Sequence, residues 1–341
     1  MKVIFCNPIP YWLCHGGEQI RIEETIAALR SRGVSIIRDE WWVPEHHPDI
    51  IHFAGRPSPM LLRMAAGRNI ATVFTETLDQ TASRSRIALW GQHWAIRLLR
   101  IFGRSMFERM GWESYQLADA ICHNVSLENR VAEYLFDAPR DKLHTVPLGL
   151  SDHALKALSA KSASSAAERY CLCIGTIHPR KNSLLLAQAA KLSQVPVVFI
   201  GRPYSENESY FQSFLSLVDQ KHVRYKGEVS EEEKISLLTN AQGFVLLSNF
   251  ESGCIAVHEA AASGLPMLLP KKKWTSVYPV SENIVHIDTS RTAEEIAFDL
   301  SRFYKTATRR NKQTFPVGSW GDTAAEYERI YIKIINKRRR S

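Results

Sequence analysis

Residues 243–270 read GFVLLSNFESGCIAVHEAAASGLPMLLP, and this stretch decides the fold class of the chain. Two short apolar runs, 243–248 and 266–270, enclose a loop and a segment rich in alanine. Apolar runs without polar alternation are typical of parallel strands buried on both faces, and a helix usually connects two such strands. The stretch is therefore predicted to form a strand, a loop, a helix that begins near Ile255, and a second strand.

The same alternation of strand and helix extends through the rest of the chain. A strand over 2–7 (KVIFCN) precedes a helix predicted over 16–32, where apolar residues recur at helical spacing. The other short apolar runs that indicate strands are 34–38, 49–55, 70–76, 119–124, 142–149, 170–176, 195–201, 223–229 and 283–288. The pattern predicts an α/β protein of two doubly wound, Rossmann-like domains facing a central cleft, with ligands at the carboxyl ends of the strands.

The domain limits follow from length and composition. A chain of 341 residues exceeds the size at which a single core usually stops growing, so two domains are expected. The stretch 151–169 is rich in serine and alanine and is predicted to be the linker. The domains are then 1–150 and 170–315, and 316–341 is expected to form a C-terminal helix that returns to the first domain and ends in a basic tail.

Composition narrows the class of protein. Apolar residues make up 45% and charged residues 23%, which is ordinary for a globular chain. No apolar run reaches the roughly 20 residues that span a bilayer, and the four apolar residues at 3–6 are too few for a signal peptide. The six scattered cysteines are expected to be buried thiols, and the protein is expected to be cytoplasmic.

The positive charge is concentrated in two places. The net charge is +8, residues 305–341 hold ten Lys and Arg against three acids, and residues 84–109 hold six Arg against Glu108. Two basic patches on a nearly neutral body indicate a localised anionic partner. Nucleic acid is not expected to be that partner, since no recognised nucleic-acid-binding module is present.

The strongest candidate site is the segment 249–266, with Glu251 in the loop and Glu259 about one turn inside the helix. A helix start can bind phosphate through its N–H groups, and a carboxylate can accept both hydroxyls of a ribose. The alternative is that Glu259 complements the helix dipole and Glu251 is a solvated loop charge. The intervening residues of the candidate site are Ser252, Gly253, Cys254 and Ile255.

Two further segments lie at strand-to-helix junctions on the same side of the predicted sheets. Residues 173–182 (CIGTIHPRKN) contain the candidates Gly175, Thr176, Arg180 and Lys181. At Gly175 the backbone can approach a ligand, and Arg180 and Lys181 are two cations that suit phosphate. A solvated pair of basic residues would be the more common explanation of the last two. Residues 14–18 (CHGGE) contain Gly16 and Gly17, which permit either close approach to a substrate or a tight turn.

The three segments together resemble those of the family 4 glycosyltransferases of the GT-B fold. FESGCIAVHEAAASGLPML is similar to the Glu-x7-Glu motif of that family, and CIGTIHPRKN to its phosphate-binding segment. The pieces LADAI at 117–121, VS at 125–126 and DKLHTVPLGL at 141–150 resemble the end of the family's N-terminal domain. The resemblance covers essentially the whole chain.

The resemblance implies a retaining transfer of a hexose from a nucleotide diphosphate sugar. The first domain would bind the acceptor and the second the nucleotide sugar. Glu259 would hold the ribose, Glu251 would contact the hexose, and Arg180 and Lys181 would neutralise the leaving diphosphate. Gly16 and Gly17 would lie near the donor phosphate and the acceptor. The chain has no Asp-x-Asp, and the resemblance implies that no metal or other cofactor is required.

The chain also departs from the family pattern. Glu251 is followed by Ser-Gly-Cys rather than Gly-Phe-Gly, and Thr176 stands where an Arg often follows the glycine. A His often follows the fourth strand of the first domain, but here the sequence continues with Glu76 and Thr77. These two residues are candidates for acceptor or sugar binding. His15 and His52 are further candidates, and a structural role for each histidine is the favoured alternative.

The basic stretch 83–113 interleaves Arg with Trp90, Trp94 and other apolar residues. Such a helix suits a membrane interface with anionic lipid, to which the tail 337–340 could contribute, or it packs its apolar face on the sheet. Together these features predict a glycosyltransferase acting on a glycan or lipid-linked acceptor in cell-surface polysaccharide, lipopolysaccharide or glycolipid biosynthesis, at the cytoplasmic face of a membrane. The main alternative is a non-catalytic GT-B subunit that binds a partner or glycan, and a less favoured one is an epimerase or hydrolase of the same fold.

Overall fold

The structure is a computed structural model, and it describes residues 1–7, 16–38, 47–160, 169–309 and 312–340. The described residues divide into two compact units. The first contains residues 1–7, Glu18–Leu148 and Trp320–Arg340, and the second contains Gly149–Ser319 together with Gly16 and Gly17. Predicted candidate His15 lies outside the described residues, as does Cys14.

The first unit is built on a parallel sheet in the order β2-β1-β3-β4-β5-β6. Its strands are β1 Lys2–Cys6, β2 Ser35–Arg38, β3 Ile50–Ala54, β4 Ala71–Thr75, β5 Ala120–His123 and β6 Leu143–Thr145. Its helices are α1 Gly17–Ser31, α2 Pro59–Gly67, α3 Asp79–Ala82, α4 Arg86–Phe102, α5 Arg104–Arg109, α6 Ser114–Leu117, α7 Ser126–Phe136 and α14 Trp320–Arg340.

Helices cover both faces of the first sheet. One core contains Ile22 and Leu29 of α1 with Ala324 and Ile334 of α14, packed on residues of the central strands. The other core is formed on the opposite face by residues of α2, α4, α6 and α7. All five residues of β4 are buried. A strand enclosed on both faces is apolar at most positions, here with Thr72 and Thr75 as buried exceptions, which is why the sequence shows nearly continuous apolar runs rather than alternation.

The second unit is built on a parallel sheet in the order β12-β11-β10-β7-β8-β9. Its strands are β7 Cys171–Ile174, β8 Val197–Ile200, β9 Val223–Gly227, β10 Gly243–Val245, β11 Met267–Pro270 and β12 Ile284–Ile287. Its helices are α8 Asp152–Ala160, α9 Ser183–Ser193, α10 Ser209–Leu215, α11 Glu231–Asn240, α12 Ile255–Ala262 and α13 Ala293–Thr306. The predicted α/β class and the doubly wound sheets are confirmed.

The structure corrects the predicted linker at 152–160. These residues form α8, whose Ala154 and Leu158 are buried in the core of the second unit. The two residues are one helical turn apart and share a face, so they pack although the segment as a whole is polar and small. Residues 161–168, the most serine- and alanine-rich part of the predicted linker, lie outside the described residues. Among the described helices, none is long and apolar enough to cross a membrane.

Candidate active site

The loop that follows β10 is held at the carboxyl end of the second sheet by its neighbours. The backbone N–H of Asn249 donates to the carbonyl of Arg180 at 2.8 Å. The indole Nε1 of Trp274 donates to the carbonyl of Ser248 at 3.0 Å. Because β10 and β7 are adjacent and parallel, the loops after both strands emerge at the same edge of the sheet. The two sequence segments that carry the candidate residues are therefore brought side by side.

Glu251 is the centre of a buried charge cluster. Its Oε1 lies 2.6 Å from Lys181 Nζ, and its Oε2 lies 3.0 Å from Arg180 Nη1. The carboxylate and the ammonium are almost enclosed, with 7% and 10% of their side chains exposed. Burial alone would raise the pKa of Glu251, but Lys181 and Arg180 hold the pKa below its ordinary value. Glu251 is therefore ionised at neutral pH and pairs with both cations, which leaves the cluster with one net positive charge.

A single turn of 3-10 helix, Pro179–Lys181, positions the two cations. His178 caps this turn, since its Nδ1 accepts from the backbone N–H of Arg180 at 3.2 Å. The guanidinium of Arg180 lies 5.7 Å from the centre of the Phe250 ring, which steadies it further. Arg180 and Lys181 are therefore held in place by the protein, and the alternative that they are a solvated pair of basic residues is excluded.

Two glycines allow the backbone to pass close to these cations. A Cβ at Gly201, which has a φ of +122°, would lie 2.3 Å from the carbonyl oxygen of Gly175. A Cβ at Gly175, with a φ of +154°, would lie 3.2 Å from Lys181 Cε. Both positions combine a left-handed backbone with a close contact, so a side chain at either would displace the loop. Thr176 follows this turn and is half-buried.

Helix α12 begins at Ile255, as the sequence predicts. Gly253 has a φ of +62° and turns the chain into the helix. The backbone N–H of Cys254 donates to the hydroxyl of Tyr278 at 3.0 Å. Cys254 is buried, and burial raises the pKa of its thiol to about 11, so the thiol stays protonated at neutral pH. Ser252 completes the segment between the cluster and the helix and is also buried.

Glu259 is buried on α12 and has a different cation as its partner. Its Oε1 lies 2.5 Å from the Nζ of Lys234 on α11, and 5% of the Glu259 side chain is exposed. Burial raises the pKa of Glu259, although Lys234 acts in the opposite direction. Glu259 is therefore more than a surface charge that complements the helix dipole.

The sequence did not reveal either Lys234 or Tyr278 as part of this region. Lys234 follows an acidic run in α11, and the N–H of Glu233 is capped by Ser230 at 3.1 Å, so the stretch resembles an ordinary helix start. Nothing in the spacing along the chain links position 234 to position 259. Only the folded structure, in which both α11 and α12 pack against α8, makes that link.

The remaining donor-site candidates are Gly16 and Gly17. Gly16 has a φ of +122°, which favours glycine at that position, and Gly17 is the first residue of α1. Both group with the second unit. Their predicted role beside the donor phosphate stays a prediction.

His52 is buried with both ring nitrogens bonded, as expected for the structural role that the sequence analysis favoured over sugar binding. It lies in β3, is fully buried, and both of its ring nitrogens have partners. Its Nδ1 lies 2.5 Å from the hydroxyl of Tyr331, and its Nε2 lies 2.8 Å from Thr75 Oγ1. Burial holds the pKa of His52 well below its ordinary value, so the ring is neutral and fixed between the sheet and α14.

Glu76 and Thr77 follow β4 at the carboxyl end of the first sheet. The hydroxyl of Tyr115 donates to Glu76 Oε2 at 2.5 Å, and Arg56 lies 3.7 Å from Glu76 Oε1. Burial raises the pKa of Glu76, against the opposing effects of Arg56 and Tyr115. Thr77 is exposed beside it. Glu76 therefore belongs to a half-buried polar cluster at the edge where parallel α/β sheets bind ligands.

Helix α4 packs with one stripe and exposes another. Ile96 is buried in the core, whereas many large apolar side chains point outward. The exposed fractions are 82% for Ile87, 60% for Trp90, 49% for Trp94, 54% for Leu98, 70% for Ile101 and 83% for Phe102. The packing alternative therefore accounts for only part of the apolar surface of this helix. An exposed apolar strip of this kind marks an interaction surface.

Comparison with known proteins finds a family model and a curated relative that match parts of the chain. Residues 156–313 match the family model for glycosyl transferases group 1. The O-antigen chain mannosyltransferase B of Escherichia coli is 28% identical over 146 residues, which cover 39% of this chain and 38% of that protein. The chain therefore matches well under half the length of this curated relative.

Solved structures share the fold over nearly the whole chain. AviGT4, a glycosyltransferase involved in avilamycin A biosynthesis, has a TM-score of 0.60 at 15% identity, with 98% of each chain covered. Anabaena Alr3699/HepE in complex with UDP and glucose has a TM-score of 0.59 at 12% identity, covering 99% of this chain and 98% of that one. The lipopolysaccharide outer core galactosyltransferase WaaB has a TM-score of 0.58 at 13% identity, covering 99% of each chain. The fold is thus that of the GT-B glycosyltransferases, and the stretch that matches the glycosyl transferases group 1 model includes Glu251 and Glu259.

Proposed function

We propose that this protein is a glycosyltransferase that moves a hexose from a nucleotide diphosphate sugar to a glycan or lipid-linked acceptor, with retention of anomeric configuration. The observation that carries the proposal is the buried cluster of Glu251, Arg180 and Lys181, with Glu259 on the helix that follows. The match of residues 156–313 to the glycosyl transferases group 1 model, and a structural neighbour solved with UDP and glucose, support the same choice.

The chemistry of the cluster fits the departure of a nucleoside diphosphate. Negative charge grows on the leaving diphosphate in the transition state, and fixed cations stabilise that charge without reorganising. Arg180 offers paired donors and Lys181 a compact charge, both already held by the turn over 179–181. Removing one such donor typically slows a reaction by about 10²–10³. We propose that these cations make a metal ion unnecessary.

The two carboxylates have separate roles in this proposal. Glu251, at the cations, contacts the hydroxyls of the transferred hexose. Glu259, buried on α12, accepts hydrogen bonds from the hydroxyls of the ribose. The N–H groups at the start of α12 lie between them along the chain and supply an anion site for the diphosphate. Glu76 and Thr77 are proposed to contact the acceptor from the first unit.

The proposal is tested by the binding of nucleoside diphosphates. UDP, GDP, ADP and dTDP, with and without their sugars, are compared by thermal shift on wild type and Glu259→Ala. One nucleotide is expected to raise the Tm of wild type and to have little effect on the variant. If no nucleotide raises the Tm of folded wild type, the proposal fails and the alternative of a non-catalytic subunit is favoured.

We also propose that the acceptor is presented at a membrane and that the exposed strip of α4 contacts it. Trp90 and Trp94 stand among arginines at 86, 97 and 100, a combination suited to anionic lipid headgroups. The basic residues 337–340 at the end of α14 would add attraction. This places the enzyme at the cytoplasmic face of a membrane, in the assembly of surface polysaccharide or lipopolysaccharide. The names of the E. coli mannosyltransferase and of WaaB support that setting.

Vesicle co-sedimentation tests the membrane contact. Wild type is expected to bind vesicles that contain phosphatidylglycerol and to bind pure phosphatidylcholine weakly. Trp90→Glu is expected to weaken that binding about tenfold or more, because it removes an inserted aromatic side chain and adds a repelled charge. Phe298→Glu is the matched control, since Phe298 is 70% exposed on α13, a helix of the second unit. Equal binding by wild type and Trp90→Glu would exclude the strip as the membrane contact.

A further inference from the structure

Lys234 occupies an unusual place for a lysine. It is the fourth residue of α11, and a quarter of its side chain is exposed. Its Nζ lies 2.5 Å from Glu259 Oε1 on the neighbouring helix. Another ion pair of α11, between Glu233 and Lys226, is exposed to 44% on both sides and is of the kind that contributes little. The Lys234 pair is different because its carboxylate is enclosed by the protein.

The contact to Lys234 Nζ is made at Oε1 of Glu259. A carboxylate has about four acceptor positions when ionised and becomes a donor on one oxygen when protonated. A buried carboxylate without a cation is protonated more readily, and burial already raises the pKa of Glu259. The cation of Lys234 counters that tendency.

We propose that Lys234 is a positioning residue of the donor site, which keeps Glu259 ionised and fixed so that its carboxylate can accept from the hydroxyls of a ribose. This inference rests on the proposed function, in which Glu259 binds the donor. It also specifies the donor class: a ribonucleoside diphosphate sugar, since a 2′-deoxy donor lacks one of the two hydroxyls. Lys234 does not touch the sugar; it acts through Glu259.

The test measures discrimination between a ribonucleotide and its 2′-deoxy form. Calorimetry gives the Kd of UDP and dUDP, ADP and dADP, and GDP and dGDP at pH 6, 7 and 8. Wild type is expected to prefer one ribonucleotide to its deoxy form by about tenfold or more, the effect of a hydrogen bond to a charged group. In Lys234→Met this ratio is expected to fall to about threefold or less at pH 6.

The pH dependence separates positioning from general support of the fold. Without the cation, Glu259 has a higher pKa, so its acceptor form is lost as the pH falls. The ratio in Lys234→Met is therefore expected to recover between pH 6 and pH 8, whereas wild type changes little. Lys234→Arg is expected to restore the ratio at all three pH values. Lys226→Met, which removes the exposed ion pair between β9 and Glu233 of α11, is expected to behave like wild type.

Each outcome decides the matter. A Lys234→Met protein with a wild-type ratio at every pH overturns the inference, even if its Tm is lower, because only stability then depended on the lysine. If Lys234→Met does not fold, Lys234→Gln is measured in the same way and the same ratio decides. If wild type binds a ribonucleotide and its 2′-deoxy form equally, the inference about Lys234 is also overturned, while the proposed glycosyltransferase function is not. If wild type binds no nucleotide, both the inference about Lys234 and the proposed function are overturned.

Discussion

Glu251→Gln is predicted to bind a nucleoside diphosphate more tightly than wild type while losing transfer activity. Without donor, Glu251 pairs with both cations and offsets one of their two charges, at 2.6 Å from Lys181 and 3.0 Å from Arg180. A diphosphate that uses those cations must share them with a fixed carboxylate of the same sign. Glutamine keeps the shape of the side chain and one acceptor oxygen but removes the charge. The variant therefore leaves both cations to the ligand.

The size of the effect follows from Coulomb's law. Two unit charges about 5 Å apart interact with roughly 3 kcal/mol at an effective dielectric constant of about 20. Water in the open loop weakens this repulsion to about 1–2 kcal/mol, which is about five- to thirtyfold in Kd. The unliganded variant is in turn destabilised, because removing one partner of a buried ion pair typically costs about 3–5 kcal/mol. The hydrogen bonds that glutamine retains reduce that cost to about 1–3 kcal/mol.

Calorimetry and thermal shift measure both effects, with the nucleoside diphosphate that stabilises wild type. Glu251→Gln is expected to have a lower Tm without ligand, a larger ligand-induced rise in Tm, and a smaller Kd. Transfer is expected to fall about a hundredfold or more, since the contact to the hexose is lost. Glu228→Gln is the matched control: Glu228 pairs with Arg202 at 3.4 Å, but 68% of its side chain is exposed. If Glu251→Gln binds the diphosphate as weakly as wild type or more weakly, Glu251 does not compete with the ligand and the reasoning is refuted.

Three further predictions concern the same unit. Gly201→Ala is expected to lose about 2 kcal/mol or more of stability and most of its nucleotide affinity. In Gly67→Ala, where a Cβ meets nothing within 4 Å, stability and nucleotide affinity should be unchanged. Denaturant titration and binding assays measure the two quantities. The folded-state pKa of Glu251 is below its ordinary value of 4.5, so the ionised carboxylate stabilises the fold above about pH 4.5. This stabilisation should be lost as the pH falls through the folded-state pKa. Urea midpoints that change equally for wild type and Glu251→Gln between pH 6 and 3 would contradict this. The folded-state pKa of Glu259 is raised, so its negative charge destabilises the fold at pH 7. Glu259→Gln should therefore have an equal or higher Tm but bind nucleotide more weakly. A clear drop in Tm would contradict the raised pKa of Glu259.

The fold could be predicted from the sequence because parallel strands buried on both faces leave continuous apolar runs. Each of the twelve strands described lies within one of those runs, and the start of α12 at Ile255 was predicted as well. The linker was predicted less well. Composition shows that 151–169 is small and polar but not that Ala154 and Leu158 face a core, since that depends on the partners of α8.

The candidate site was predictable to the extent that it is local in sequence. Arg180, Lys181 and Glu251 each end a strand-to-helix junction, and adjacent parallel strands bring such junctions together. Lys234 was missed because its contact depends on how two helices pack, which no spacing reveals. His52 was nominated for its chemical type, and only the structure shows both of its ring nitrogens satisfied in the core.

The most direct test of the central claim is donor turnover by wild type and by Lys181→Met. Proton NMR follows the release of nucleoside diphosphate, and the anomeric configuration of the product, from the nucleotide sugar that stabilises the protein, with a glycan or lipid-linked acceptor present. Wild type is expected to release diphosphate and to form a product that retains the anomeric configuration of the donor, and Lys181→Met to do so about 10²–10³ more slowly. Tight binding of the nucleotide sugar with no release by wild type, or equal rates for the two proteins, would contradict the account.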